Sequence, residues 1–339
     1  MALQWARPLV AAAALHCLPL HAQATFIAPV DAPPLRSLQA YAAPLNAVTL
    51  AGQRLVSVGL RGNILYSDDQ GNSWQQADTP ASVDLTALYF IDAQRGWAVG
   101  HDGLVLHSRD GGRSWERQLD GRQLLALWQA ATPAEDRQTA APLDSMNFPL
   151  LDVWFENEHN GFIVGAFNLI LHTKDGGKHW SFWSHRAENP QGLHLYGIRG
   201  TGTEVFAVGE QGLVLKLDRT QGRFNAVKTP YHGSYFNLIA TPDLLLVIGL
   251  RGNAYRSTDG GGSWDKADTG TSASLAAGTV LADGSVMLVS MSGDLLRSRD
   301  QGNSFQPVRI PRPTPYFAVA PTGDGGLVLV GNRGVRVVR

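Results

Sequence analysis

Cysteine is almost missing from this chain: its 339 residues carry one, Cys17. Charge is scarce as well. Asp, Glu, Lys and Arg make up 17% of the residues, too few for a long coiled-coil or disordered chain. The formal net charge is −1, which leaves no electrostatic footprint for nucleic acid. No apolar run reaches the roughly 20 residues that a membrane-spanning helix needs. What is abundant is apolar residues, at 44%, enough for a full core, and glycine, at 37 residues, enough for many turns.

The longest apolar stretch, Leu9 to Leu20, reads as an address. Arg7 precedes it, and Ala22, Gln23 and Ala24 follow it as an A-x-A cleavage site. The expected domains are therefore a signal peptide over 1–24 and a mature, exported chain over 25–339, periplasmic or secreted. Cys17 would leave with the leader. The mature chain would then have no disulfide, no thiolate metal site and no cysteine nucleophile. A lipoprotein anchored through Cys17 is the alternative, but His16 fits poorly where such processing prefers a small residue.

An octapeptide repeats. It reads SDDQGNSW from Ser67 to Trp74, SRDGGRSW from Ser108, TKDGGKHW from Thr173, STDGGGSW from Ser257 and SRDQGNSF from Ser298. A degraded copy, LDRTQGRF, starts at Leu217. Ser67 to Ser108 and Ser257 to Ser298 are each 41 residues, and Thr173 to Leu217 is 44. Ser108 to Thr173 is 65, so an insertion is expected at about 119–147. Each copy follows a strand, a glycine-containing turn and a second strand. The lead-ins begin at Val56, Trp97, Phe162, Phe206, Leu246, Met287 and Leu327.

Seven units of four strands predict an all-β fold, a seven-bladed β-propeller with Asp-box hairpins. The last copy stops at Arg339, before a fourth strand. A ring without an open edge needs that strand from elsewhere, and Thr25 to Ala32 is the expected donor. The box acids Asp69, Asp110, Asp175, Asp259 and Asp300 are expected to be structural. Hairpins recur in every blade, whereas a site does its chemistry once, and Asp accepts main-chain N–H groups in turns.

The turns between second and third strands should open on one face of the ring, together with the loops joining blades. Their tips carry Leu60 and Arg61, His101 and Asp102, Phe167, Glu210, Arg251, Met291 and Arg333. Variable residues on a recurring frame suit a recognition surface. Arg61, Arg251 and Arg333 match in position and are assigned to blades one, six and seven. Neighbouring guanidinium groups could grip carboxylates; solvated turn arginines are the bland alternative. In the insertion, apolar positions 124, 125, 127 and 128 have helical spacing, and Pro133 would stop the helix. Trp128 either anchors a partner or packs on blade three.

The segment Val99 to Trp115 carries the pattern V-G-x-x-G-x-x-x-x-S/T-x-D-G-G-x-x-W, and Val164 to Trp180 follows it with Asn168 in place of the second glycine. This resembles the photosystem II stability and assembly factor family, which is built of BNR/Asp-box repeats. Leu150 to Trp180 and Tyr231 to Phe236 are similar to its non-photosynthetic bacterial branch. The resemblance implies a periplasmic or lumenal scaffold that holds a membrane protein or membrane-associated complex, through an arginine-rich surface in the photosynthetic members. For the non-photosynthetic branch it implies an exporter as a possible partner.

No cofactor is expected, and no metal. His172, His179 and His185 stand at no ligand spacing. The rival functions are a sialidase-like glycoside hydrolase and a carbohydrate-binding propeller. Arg309 to Pro311 spells the sialidase R-I-P, but after the last box rather than before the first. Tyr231 and Tyr235 would have to be exposed to line a sugar groove.

Overall fold

The computed structural model describes residues 26–132 and 148–339. The leader, Cys17 and residues 133–147 of the insertion lie outside them. Seven antiparallel sheets form the ring expected from the repeats. Blade one runs from Leu45–Ala51 to Gln75–Gln76, and blade two from Leu85–Phe90 to Glu116–Leu119. Blade three runs from Leu150–Phe155 to Ser181–Phe182, and blade four from Leu195–Gly200 to Arg223–Val227. Blade five runs from Tyr235–Thr241 to Asp265–Lys266, and blade six from Leu275–Val280 to Gln306–Val308. Blade seven has three strands, Tyr316–Pro321, Leu327–Gly331 and Gly334–Val338.

The core lies between blades. Each box aromatic fills the space toward the preceding blade, as Trp115 does against Phe90 and the Val56 cluster of blade one. Trp180 packs in the same way with Phe155 and Trp97 of blade two. Trp97 and Phe155 themselves stack across that boundary. Burial of such rings supplies most of the inter-blade adhesion.

The box hairpins close on themselves. In the first, the Ser67 hydroxyl donates to Asp69 Oδ1 at 2.8 Å and accepts the Gly71 N–H at 2.9 Å. Asp69 also accepts the Ser73 N–H and hydroxyl at 2.8 and 2.6 Å. The same bonds recur around Asp110, Asp175, Asp259 and Asp300. The degraded copy keeps the logic, with Asp218 accepting the N–H groups of Thr220 and Gln221.

The ring does not close as the sequence suggested. Residues 26–32 form no strand; Pro29–Asp31 is a single helical turn. It lies across blades one and two, where Pro29 O accepts the Ser82 N–H and Val30 O accepts from Arg117. Pro29, Pro33 and Pro34 lack the N–H that a ladder requires. Closure comes instead from packing of Leu45–Ala51 against blade seven. Side chains assist it: Gln70 accepts the Gly323 N–H, and Arg339 donates to Asn72 at 2.8 Å.

Two predictions follow from buried and bonded titratable groups. Burial holds His107 and His172 down to about 4, with a smaller push from nearby cations. An unfolded histidine titrates near 6.5, so the unfolded chain takes up protons that the fold refuses. Stability should therefore decline as pH falls from about 6.5 to 4. The box carboxylates act in a lower window. The Ser73 hydroxyl, with its N–H, holds Asp69 down to about 2. At Asp175 burial pushes upward, but the bonds from His179 and Thr173 outweigh it and leave about 2. That contribution is complete above the ordinary carboxylate value and is lost below it toward pH 2. Urea unfolding at pH 7, 5 and 3 should show both losses. His107→Tyr with His172→Tyr, the residue blade one uses at the matching Tyr66, should flatten only the upper one.

Candidate functional site

One main-chain bond repeats in all seven blades. The first N–H of each turn between second and third strands donates to the carbonyl just before that blade's inner strand. The pairs are Leu60 to Pro44, His101 to Asp84, Ala166 to Pro149, Glu210 to His194, Leu250 to Ser234, Met291 to Ser274 and Asn332 to Pro315, at 2.9–3.4 Å. A glycine precedes the turn in six blades: Gly59, Gly100, Gly165, Gly209, Gly249 and Gly331. A Cβ on any of them would fall well inside 3.0 Å of that same carbonyl. Blade six has Ser290, whose hydroxyl accepts the Ser292 and Asp294 N–H groups and donates to the Asp294 carboxylate. The bond binds each turn to an inter-blade loop, so both lie on one face, as expected.

The tip residues are held in an unusual backbone state. Arg61, Asp102, Phe167, Gln211 and Arg251 have φ of 54° to 57°. Left-handed backbone costs a residue with a side chain about 1 kcal/mol or more. Glycine would relieve that cost, yet five blades carry a side chain there. Gln70 and Gln301 of two box hairpins share the same state, so it marks a turn geometry common to both faces. Arg333 differs: its φ is not positive, and its tip is a tight two-strand turn closed at Gly334.

The expected site residues divide as follows. Arg61, Phe167, Arg251 and Arg333 are exposed, and His101 and Asp102 are half-buried. The three arginines have no ion-pair partner among the described residues. Glu210 turns back into its own blade, where its carboxylate accepts the His194 N–H at 2.8 Å. Trp128 is half-buried on the helix Gly121–Ala131. Leu124, fully buried, is the residue that fixes this helix, with Asp120 and Gln123 forming a capping box at its start.

One grouping needs correction. Arg251 stands in blade five, because its turn joins the strands Leu244–Gly249 and Ala254–Ser257. Blade six therefore separates it from Arg333, and the three arginines are not on consecutive blades. Arginines from other elements gather at the junction of blades six and seven. Arg336 donates to Arg312 O at 2.9 Å and to Pro311 O, and it reaches the Tyr316 hydroxyl. Arg312 and Arg336 come from a loop and a strand, so no repeat spacing marks them.

Exposure separates the two faces. The exposed large apolar residues are Phe26, Ile27, Leu35, Leu38, Tyr41, Leu60, Phe167 and Met291. Among the described residues, three of them are turn tips of this face and five belong to the N-terminal segment, of which Leu38 and Tyr41 line a pocket with Gly71, Asn72, Ser73 and Trp74 of the first box. None lies on an Asp-box hairpin. That segment is tied down: Asp31 accepts from Arg117 at 2.9 Å and from Arg122 of the insertion helix at 3.0 Å.

The central channel is polar and holds about 380 Å³, lined by inner-strand residues of all seven blades. Its one lining carboxylate is Asp152. Burial pushes the Asp152 pKa up, against the pull of Arg199 and two main-chain N–H groups. Both of its oxygens are occupied: Oδ1 accepts the Val153 N–H, and Oδ2 accepts the Ile198 N–H and Arg199. Tyr235 is buried and so does not line a sugar groove. Among the described residues no group of three or more His, Cys, Asp or Glu could hold a metal. No helix among them is long and apolar enough to cross a membrane.

These features define an Asp-box propeller whose box Ser, Thr and Asp side chains are bonded within their own hairpins and whose opposite face carries exposed apolar tips. The chain belongs to the photosynthesis system II assembly factor YCF48 family, whose model matches residues 45–126 and 130–312. A curated relative, the photosystem II assembly lipoprotein Ycf48 of Synechococcus sp. (strain CC9902), is 27% identical over 158 residues. That match covers 45% of this chain and 47% of the relative, so the chain spans about half its length. The solved structure titled "YCF48 bound to D1 peptide" superposes with TM-score 0.65 at 17% identity, over 88% of this chain and 93% of that one. YCF48 from Cyanidioschyzon merolae gives 0.62 at 15%, over 90% and 96%. A GH74 xyloglucanase from Xanthomonas campestris gives 0.66 at 13%, over 90% and 53%. At these identities the structures share the fold alone.

If the left-handed tips serve binding rather than folding, Arg251→Gly should leave stability unchanged or raise it by up to about 1 kcal/mol. Gly249→Val, two residues earlier, should cost on the order of 1–3 kcal/mol by overpacking. Thermal melts of the two variants separate these outcomes.

Proposed function

We propose that this propeller is a periplasmic scaffold without enzymatic activity, which holds a membrane protein during assembly of a membrane complex. The observation that carries the reading is the asymmetry of the faces. The Ser, Thr and Asp side chains of the boxes are spent on their own hairpins. Among the described residues both faces carry unpaired basic side chains, Arg109, Lys174, Lys178 and Arg299 on the boxes among them, but only the opposite face adds exposed apolar tips at Leu60, Phe167 and Met291, the composition of a protein-binding surface. Family membership supports the same reading, as does the peptide-bound state named for a structural relative. Arg61, Arg251 and Arg333 would meet carboxylates, with Phe167 and Met291 as apolar contacts. His101, Asp102, Glu210 and Trp128 complete the proposed face. An exporter is one partner of the right class. The curated relative is named a lipoprotein, which makes anchoring through Cys17 the alternative to free export.

The channel gives the hydrolase rival little support. Retaining and inverting glycosidases work with two carboxyl groups. Here the lining supplies one, and its oxygens are already bonded.

The test is a pull-down from detergent-solubilised envelope with the mature chain and with Arg251→Glu/Arg333→Glu. Wild type should recover one membrane protein, and the variant at least tenfold less. Equal recovery would remove the arginines from the interface. No recovered protein with either, together with hydrolysis of a glycan substrate, would sink the scaffold reading.

A further inference from the structure

The N-terminal segment does more than cross blades one and two. Between it and the blade-one turn lies a groove of about 600 Å³. Pro29, Pro33, Pro34 and Leu35 form one wall, and Leu60 and Arg61 form the other. The volume is that of a ligand site, and the lining is mostly apolar. The wall is held at both ends, so the groove exists before anything binds. Arg36 donates to Gln76 O at 2.8 Å, and Asn63 Nδ2 donates to Ala40 O at 3.0 Å.

Two polar groups there lack partners. Asn63 is 6% exposed, and its Oδ1 accepts nothing. That oxygen is closed off from solvent, while the amide nitrogen ties the wall to Ala40 O. The second group is the Arg61 guanidinium. Asp84 accepts only the Arg61 main-chain N–H, and no carboxylate pairs with the side chain among the described residues.

We infer that this groove binds an extended peptide segment in which apolar residues adjoin an acidic one. The apolar side chains would lie along Pro33, Pro34, Leu35 and Leu60. The acidic side chain would pair with Arg61 bidentately. An acyl chain would fill the apolar wall but supply no charge for Arg61. The inference rests on the reading of this face as protein-binding, and it names the chemistry that one sector of the face selects.

The test is fluorescence anisotropy with the mature chain and a labelled decapeptide, a Leu-Leu-Glu-Glu core flanked by Gly and Ser. A second peptide carries Lys for Glu. Wild type should bind the acidic peptide at least tenfold more tightly than the basic one. Arg61→Glu should reverse or abolish that preference. Leu35→Ser/Leu60→Ser, at exposed positions that leave the core intact, should weaken binding at least fivefold. Saturable binding that both variants retain unchanged, or no binding by folded wild type, overturns the groove. The envelope pull-down uses Arg251 and Arg333, which do not line the groove. A partner captured there while the peptide fails leaves the face and removes the groove.

Discussion

The face opposite the Asp boxes is organised by one main-chain hydrogen bond, repeated seven times. It runs from the first N–H of each inner turn to the carbonyl that precedes the same blade's inner strand. In six of the turns a glycine precedes the donor, where a Cβ would collide with the acceptor, while blade six makes the same bond with Ser290 in that place. The bond also presses each turn against an inter-blade loop, so that turns and loops become one continuous surface. In five blades the residue after the donor adopts left-handed backbone, at Arg61, Asp102, Phe167, Gln211 and Arg251. The bond recurs in every blade, while the residue displayed beside it varies.

The Asp-box face obeys a different constraint. There the serine, aspartate and following serine side chains satisfy the N–H groups of a tight hairpin, and the aromatic that follows is committed to the core. What remains there is basic, Arg109, Lys174, Lys178 and Arg299, without the exposed apolar residues of the opposite face. The difference between the faces is therefore one of apolar exposure, with the box hydrogen bonds stabilising the blades. Family membership is consistent with that division, while the xyloglucanase likeness shows how far the same fold extends beyond it.

Much of this was legible in the sequence. The boxes announce themselves because Asp and Gly are needed at fixed offsets in every hairpin, and the 41-residue spacing counts the blades. The insertion showed as a break in that spacing, and its helix showed in the apolar period. Ring closure is the exception: within the expected donor, Thr25 to Ala32, Pro29 already stands against a strand. Tyr235 was readable as core, since five other blades place Leu45, Leu85, Leu150, Leu195 and Leu275 at its position. The Arg312 and Arg336 pairing was not readable. It joins a loop to a strand, and proximity of that kind exists only after folding. The groove beneath the N-terminal segment was hidden for the same reason, because that segment lies outside the repeat.

The central claim is that one face of the ring binds protein and the other does not. Site-specific photocrosslinking in the envelope tests it most directly. A crosslinking residue placed at Leu60, Phe167 or Met291 samples one face, and at Lys178 or Arg299 the other. A single membrane-protein adduct from the first set, absent from the second, is the expected result. The same adduct from Lys178 or Arg299, or adducts from that set alone, would contradict it.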